Sequence, residues 1–511
     1  MMRCSRLGLL ACALVLIACG DRAVGAAAAH PPASDRTQRI GRGSVPGGDW
    51  TRFDYDAQRS GTGPAATGIT ARDLGLLRRR VVQIDGTVDS SAIELHAVRV
   101  RGRTRDVVVL TTTYGRTIAL AVGTGAKLWE YAPSDIGSYQ GSAQITNATP
   151  VADPDRRYVY AASPDGRIHK LLLANGGEVR SAHWPVSLTF DATREKLGSA
   201  LNISGKYVVA VTGGYLGDQS YYEGHVVTID RTTGHISHVW NSLCSDRHRL
   251  IDPPKSCPYP GNGGSAIWAR EGAVIEPHSG RILVATGNAP FNGSTDWGNS
   301  VLELTPAASR LLHNWTPTDQ AQLNAVDGDV GSTAPALLPE VAGRRLAVQG
   351  GKAGVLDLLD LDRLDGARGP AGPRLGGELQ QIREPGGSEV LTAPAVWRHA
   401  DRTYVFVAND SGTTAYVLGG GRHPRLSVAW QDATPGTSPV VAGGLLYVYD
   451  EVNGALKIRQ PTGGRILTSL PSGKGHWNSP IVVGGRIVLP EGNANDHATS
   501  GTVDIYHLPG R

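Results

Sequence analysis

Short apolar runs with a period of two recur along this chain, separated by turns rich in Gly and Asp. Two copies show the unit clearly: Gly115-Arg-Thr-Ile-Ala-Leu-Ala-Val-Gly-Thr-Gly-Ala-Lys-Leu-Trp129 and Gly224-His-Val-Val-Thr-Ile-Asp-Arg-Thr-Thr-Gly-His-Ile-Ser-His-Val-Trp240. Each reads as an apolar strand, a Thr-Gly turn, a second strand and a closing Trp. Alternation of apolar and polar positions predicts strands with one buried face. Four such strands returning every ~40–50 residues predict an all-β, eight-bladed β-propeller of four-stranded antiparallel blades. The expected blades span 86–132, 140–185, 190–242, 263–317, 326–380, 389–431, 433–470 and 471–511. Ser/Thr-Pro signals open the last four, at Thr333-Ala-Pro335, Thr392-Ala-Pro394, Ser438-Pro439 and Ser479-Pro480. Seven blades is the alternative count, because the second and fifth copies are the weakest. The last blade is short at its end, Thr502 to Leu508, so the isolated strand at 76–84 is expected to complete it and close the ring. The stretch 365–373 reads as a surface loop.

The repeat residues themselves read as architecture. A Trp ending a blade packs over the Gly of a following turn, and an Asp before Thr-Gly ties the turn to backbone amides. Trp129, Trp240, Asp230 and Trp315 are therefore assigned structural work. His225, His235 and His238 read as surface or turn residues. Composition agrees with a turn-rich all-β chain: 66 Gly against 4 Phe and 2 Met. A formal charge of +4 with no long Lys/Arg run gives no electrostatic case for nucleic acid.

The N-terminus carries a targeting segment. Arg3 and Arg6 precede an apolar run, Leu7 to Ala18, too short for a usual membrane span. Its end, Leu16-Ile-Ala-Cys19, resembles the bacterial lipobox, which implies a signal peptide over 1–18 and a lipid anchor on Cys19. A plain secretory signal is the alternative. Residues 19–48 read as a flexible tether and 49–511 as the propeller domain. In the body of the chain, Cys244 and Cys257 share one polar loop, and in an exported protein a pair so close is expected to form a disulfide.

The repeats resemble those of the pyrroloquinoline quinone (PQQ) propeller family, the quinoprotein alcohol dehydrogenases, over nearly the whole chain after residue 49. Three segments carry the resemblance further. In the first, Gly263-Gly-Ser-Ala-Ile-Trp268 is followed by Ala285-Thr-Gly-Asn-Ala-Pro290. The resemblance implies Trp268 as the indole beneath a flat quinone and Asn288 as an oxygen ligand to Ca2+. A channel plug and a turn former are the structural alternatives for these two. In the second, Asp327-Gly-Asp329, it implies that Asp327 or Asp329 takes the alcohol proton, with Asp327 also counted toward the metal. In the third, Val348-Gln-Gly-Gly-Lys352, it implies that Lys352 reaches the quinone oxygens.

The departures matter as much. Where the family places a Glu for Ca2+, five residues before Gly224, this chain has Gln219, and a neutral ligand weakens divalent binding. The adjacent Cys pair that covers the quinone in many of these enzymes is missing. No Cys-x-x-Cys-His motif for covalent haem occurs in the chain. Two functions therefore stay open. One is an exported, lipid-anchored PQQ- and Ca2+-dependent oxidoreductase of the cell envelope, acting on a small alcohol or sugar and passing electrons to an external acceptor. The other is a non-catalytic scaffold lipoprotein that binds envelope proteins, similar to outer-membrane assembly factors.

Overall fold

The computed structural model describes residues 48–215, 221–251, 264–364 and 375–510. Within them lie eight four-stranded antiparallel sheets, so the count is eight, not seven. Blades one to eight span 93–131, 151–187, 202–241, 274–315, 336–383, 395–432, 440–471 and 481–507. The weak second and fifth repeats form full blades. A two-stranded ribbon, Glu195–Lys196 with Gly213–Gly214, accompanies blade three. No helix among the described residues is long and apolar enough to cross a membrane.

The strand expected to close the ring does so. Arg78–Ile84 runs antiparallel to Gly501–His507, with Arg78 opposite His507 and Ile84 opposite Gly501. Its alternation explains the fit. Val82 and Ile84 are buried, while Arg78 and Val81 face solvent on the outer edge. Arg79 donates to Asp504 at 2.8 Å, placing a charged residue on what would otherwise be an adhesive edge.

Adjacent blades pack face to face. Val107, Val109 and Trp129 of blade one share a core with Val159, Ala161 and Leu171 of blade two. The pattern repeats round to the joint, where Val482 and Val488 of blade eight meet Val108 and Leu110 of blade one.

A second ring runs through the segments that open the blades. Ser91 N–H donates to Thr149 Oγ1 (3.1 Å), Leu201 N–H to Thr149 O (3.1 Å) and Ala200 N–H to Arg270 O (3.0 Å). Ala334 N–H then donates to Glu271 (3.2 Å), Ser332 to Val390 O (2.8 Å) and Ala393 N–H to Ser438 (3.0 Å). Thr437 donates to Asn478 O (2.6 Å) and Ser91 to Ser479 O (2.8 Å), which completes the circle. The hydroxyls of the Ser/Thr-Pro signals thus tie neighbouring blades together, and the opening segments converge on the axis.

The Trp-over-Gly expectation holds at three joints. A Cβ on Gly176 would lie 2.5 Å from the Trp129 ring, one on Gly234 2.9 Å from Trp184, and one on Gly464 2.6 Å from Trp430. Only glycine fits beneath these indoles. Asp230 accepts from the amides of Thr232 and Thr233, each at 3.0 Å.

Two features depart from the sequence expectations. First, residues 49–70 form a strap across the ring that no periodicity announces. Trp50 pairs with Glu94 of blade one, Thr51 accepts from Ala152 of blade two, and Ala57 accepts from Ile275 of blade four. Ser60 accepts from Val396 of blade six, Gly61 from Val441 of blade seven and Thr67 from Gly485 of blade eight. Arg59, fully buried, donates to Phe53 O (2.7 Å) and Leu201 O (2.9 Å).

Second, His225 is not a surface residue. Its side chain is 0% exposed, with Nδ1 at 2.8 Å from Asn241 and Nε2 at 3.1 Å from Glu195. Burial alone would lower its pKa, but Glu195 and its hydrogen bonds prevail and push it up to about 9. His235 and His238 lie at the turn and in the outer strand of the same blade, as expected. Cys19, Gln219, Cys257 and the stretch 365–373 lie outside the described residues.

Candidate active site

A cavity of about 500 Å³ opens on the axis where the blade-opening segments converge. Four residues singled out in the sequence line it: Trp268, Asp327, Asp329 and Lys352. Trp268 lies just before the first strand of blade four, and the two Asp lie before that of blade five. Lys352 sits in the turn between the second and third strands of blade five. These positions are far apart in the chain and meet only because the ring closes.

The polar contacts are tight. Lys352 Nζ lies 2.8 Å from Asp329 and 3.1 Å from Asp327, and 5.3 Å from the centre of the Trp268 ring. Asn288 is held behind them. Its amide N–H donates to Asp329 (2.5 Å), its Nδ2 to Asp327 (2.7 Å), and its Oδ1 accepts from Asn299 (2.9 Å). Gly287 makes this approach feasible, since a Cβ there would stand 2.5 Å from Asp329 Oδ1 and 3.4 Å from Trp268 Nε1. Asp327 holds a left-handed backbone, φ +58°, a conformation costly for a residue other than Gly and concentrated at functional sites.

The two carboxylates differ. The Asp327 side chain is 62% exposed and that of Asp329 10%. Burial raises the pKa of Asp329, and Lys352 and the Asn288 amide offset only part of that rise. Lys352 is raised as well, because its pairing with Asp329 outweighs the desolvation that would lower it.

As a metal seat, the site offers two carboxylates, hard donors suited to Ca2+, whereas the Asn288 oxygen is turned to Asn299 and its Nδ2 to Asp327. No cluster of three His, Cys, Asp or Glu forms among the described residues. Lys352 already neutralises both carboxylates, so a cation there would share them with the ammonium. Gln219 lies outside the described residues and adds nothing to this set.

Five further lining residues were not read from the sequence: Lys196, Arg270, Asn147, His476 and Trp477. Arg270 stacks over Trp477, 4.8 Å from the ring centre. Asp89 is buried behind them. It accepts from His476 Nδ1 (2.9 Å), Asn147 (2.9 Å), Trp477 N–H (2.7 Å) and Ala494 N–H (3.0 Å). Burial would raise the Asp89 pKa, but these bonds and nearby cations hold it below the ordinary value. A sequence signal did exist. Asn147 and Trp477 each stand two residues before the hydroxyl residue of a Ser/Thr-Pro pair, Thr149-Pro150 and Ser479-Pro480.

Residues 85–242 match a repeat family described as "Outer membrane protein assembly factor BamB". No curated protein sequence matches the chain. The fold is similar to quinohemoprotein alcohol dehydrogenase from Comamonas testosteroni, with a TM-score of 0.64 and 15% identity over 91% of this chain and 81% of that one. It is similar to a europium-containing methanol dehydrogenase, with a TM-score of 0.65 and 15% identity over 90% of this chain and 98% of that one. It is also similar to BamB from Moraxella catarrhalis, with a TM-score of 0.51 and 13% identity over 85% of this chain and 98% of that one. At these identities the likeness is one of fold.

Proposed function

We propose that this chain, a PQQ-type β-propeller, seats a flat quinone such as PQQ over Trp268 and oxidises a small alcohol-type substrate in the cell envelope. The observation that carries the reading is the convergence of Trp268, Asp329, Asp327 and Lys352 on one axial cavity. When bound, the quinone supplies a two-electron acceptor for hydride. The protein's residues do the rest. The Trp268 ring offers an apolar floor to a conjugated ring. Asp329, buried and raised in pKa, takes the hydroxyl proton of the alcohol as its carbon gives up hydride. Lys352 balances negative charge growing on an oxygen beside it. Asn288 and Gly287 fix the Asp329 carboxylate. Asp327, with Asn288 once its side-chain amide is turned over, would hold a Ca2+ or Eu3+ ion. The chain has no covalent-haem motif, so electrons leave through an external acceptor.

The test is a titration of purified apo-protein with PQQ, with and without Ca2+ or Eu3+, followed by indole fluorescence. Saturable quenching at micromolar PQQ, weakened in Trp268→Ala, is expected. A flat titration, identical in the variant, removes the quinone reading. It would leave the scaffold reading, which the match of residues 85–242 to an assembly-factor family favours.

The envelope setting rests on the leader. The proposal includes a lipid on Cys19 and a disulfide between Cys244 and Cys257. Mass spectrometry of the exported protein is expected to find an acylated N-terminal Cys19 and a Cys244–Cys257 peptide that separates on reduction. An N-terminus cleaved elsewhere would discard the anchor, and free thiols at both cysteines the disulfide.

A further inference from the structure

The cavity that holds Asp329 and Lys352 is lined by two further cations, Lys196 and Arg270, that the proposed chemistry does not use. Arg270 is 8% exposed, and its Nε and Nη1 are buried with no hydrogen-bond partner. Lys196 lines the same cavity, 5.8 Å from the Tyr215 ring. The charges acting on Lys196 are Arg270 and Asp89, and those acting on Arg270 are Asp89 and Glu271. Neither acid is a dedicated partner. Asp89 is engaged by four donors, and Glu271 accepts from the Ala334 amide in the neighbouring blade. Of the cavity's remaining acids, Asp327 and Asp329 are held by Lys352, and Glu389 is not among the charges acting on Lys196 or Arg270.

Two unpartnered, buried N–H groups on Arg270, with the like charge of Lys196 on the same cavity, are costly unless a ligand answers them. Asn147 and His476 line the same cavity and add polar groups. We propose that Lys196 and Arg270 form a carboxylate-binding pair, so that the cavity takes an anionic ligand whose carboxylate lies on them, apart from the Asp327/Asp329/Lys352 cluster. The inference rests on the quinone reading only for where the rest of the ligand lies. The carboxylate belongs either to the ring ligand or to the substrate. Burial beside Arg270 lowers the Lys196 pKa to about 7, in keeping with a cation that lacks its counter-charge.

The experiment uses the full-length protein, Lys196→Met and Arg270→Gln, and three probes read by indole fluorescence: PQQ, its trimethyl ester and glycolate. Losing one charge-assisted hydrogen bond should raise Kd about tenfold or more. If the ring ligand supplies the carboxylate, PQQ weakens by that factor in both variants, and the ester binds all three proteins alike. If the substrate supplies it, glycolate weakens in both variants and PQQ does not. If neither probe depends on Lys196 or Arg270, the carboxylate-binding pair is overturned, while the quinone reading still stands or falls by Trp268→Ala. Should a variant misfold, wild-type protein decides. Acetic anhydride at pH 8 is expected to acylate Lys196, and PQQ or glycolate to protect it. Acylation at the same rate with saturating amounts of either probe overturns the proposal.

Discussion

Asp329→Asn is expected to lower quinone-dependent alcohol oxidation by about 10²- to 10⁴-fold, the usual contribution of a positioned base. The substitution is close to isosteric. An Asn oxygen still accepts from the Asn288 amide, which now lies 2.5 Å from the carboxylate. Lys352 keeps a partner in Asp327 at 3.1 Å. The fold and the PQQ titration should therefore be preserved, and the loss should fall on kcat with KM little changed. Asp327→Asn is expected to cost much less, because that carboxylate is largely in solvent. In the wild type, the acid limb of kcat/KM should lie above the ordinary carboxylate range, following the upward shift that burial imposes on Asp329. Stopped-flow dye reduction across pH reads all three quantities. Equal losses for the two Asp variants would reject Asp329 as the base.

Ile84→Asp is expected to cost about 4 kcal/mol or more, among the largest effects a single substitution produces. Ile84 is 7% exposed and packs in the cluster that joins blades seven, eight and one. An Asp there buries a charge with no partner and removes an apolar side chain from the joint. The damage should exceed that of the same change elsewhere in a sheet, because this strand is the outer edge that closes blade eight, pairing residue by residue from Arg78 to Ile84. Val81→Asp, on the solvent face of the same strand and 46% exposed, should cost less than about 1 kcal/mol. Urea denaturation of the two variants separates them. Equal midpoints would show that the ring does not depend on this strand.

The site was legible in part. Trp268, Asp329 and Lys352 were found because each sits in a short motif that resembles one of the quinoprotein family: Gly263-Gly-Ser-Ala-Ile-Trp268, Asp327-Gly-Asp329 and Val348-Gln-Gly-Gly-Lys352. Lys196 and Arg270 sit in no such motif. Their meaning is their distance from other charges, which local sequence does not encode. His225 was misread for a related reason. A lone His in a strand next to a turn has the same local pattern whether it faces solvent or a buried acid, and Glu195 lies 30 positions away.

By itself the sequence determined the repeat, the closing strand and an expected count of eight blades, with seven left open until the sheets were seen. Strand alternation and turn chemistry are local, and eight recurrences leave a ring as the way to bury every face. Only the tertiary structure decided how 49–70 cross the ring, which charges meet on the axis, and that Asp329 is buried while Asp327 is not. Those facts depend on groups brought together by ring closure. Burial and unpaired charge are properties of the assembled surroundings and not of any one segment.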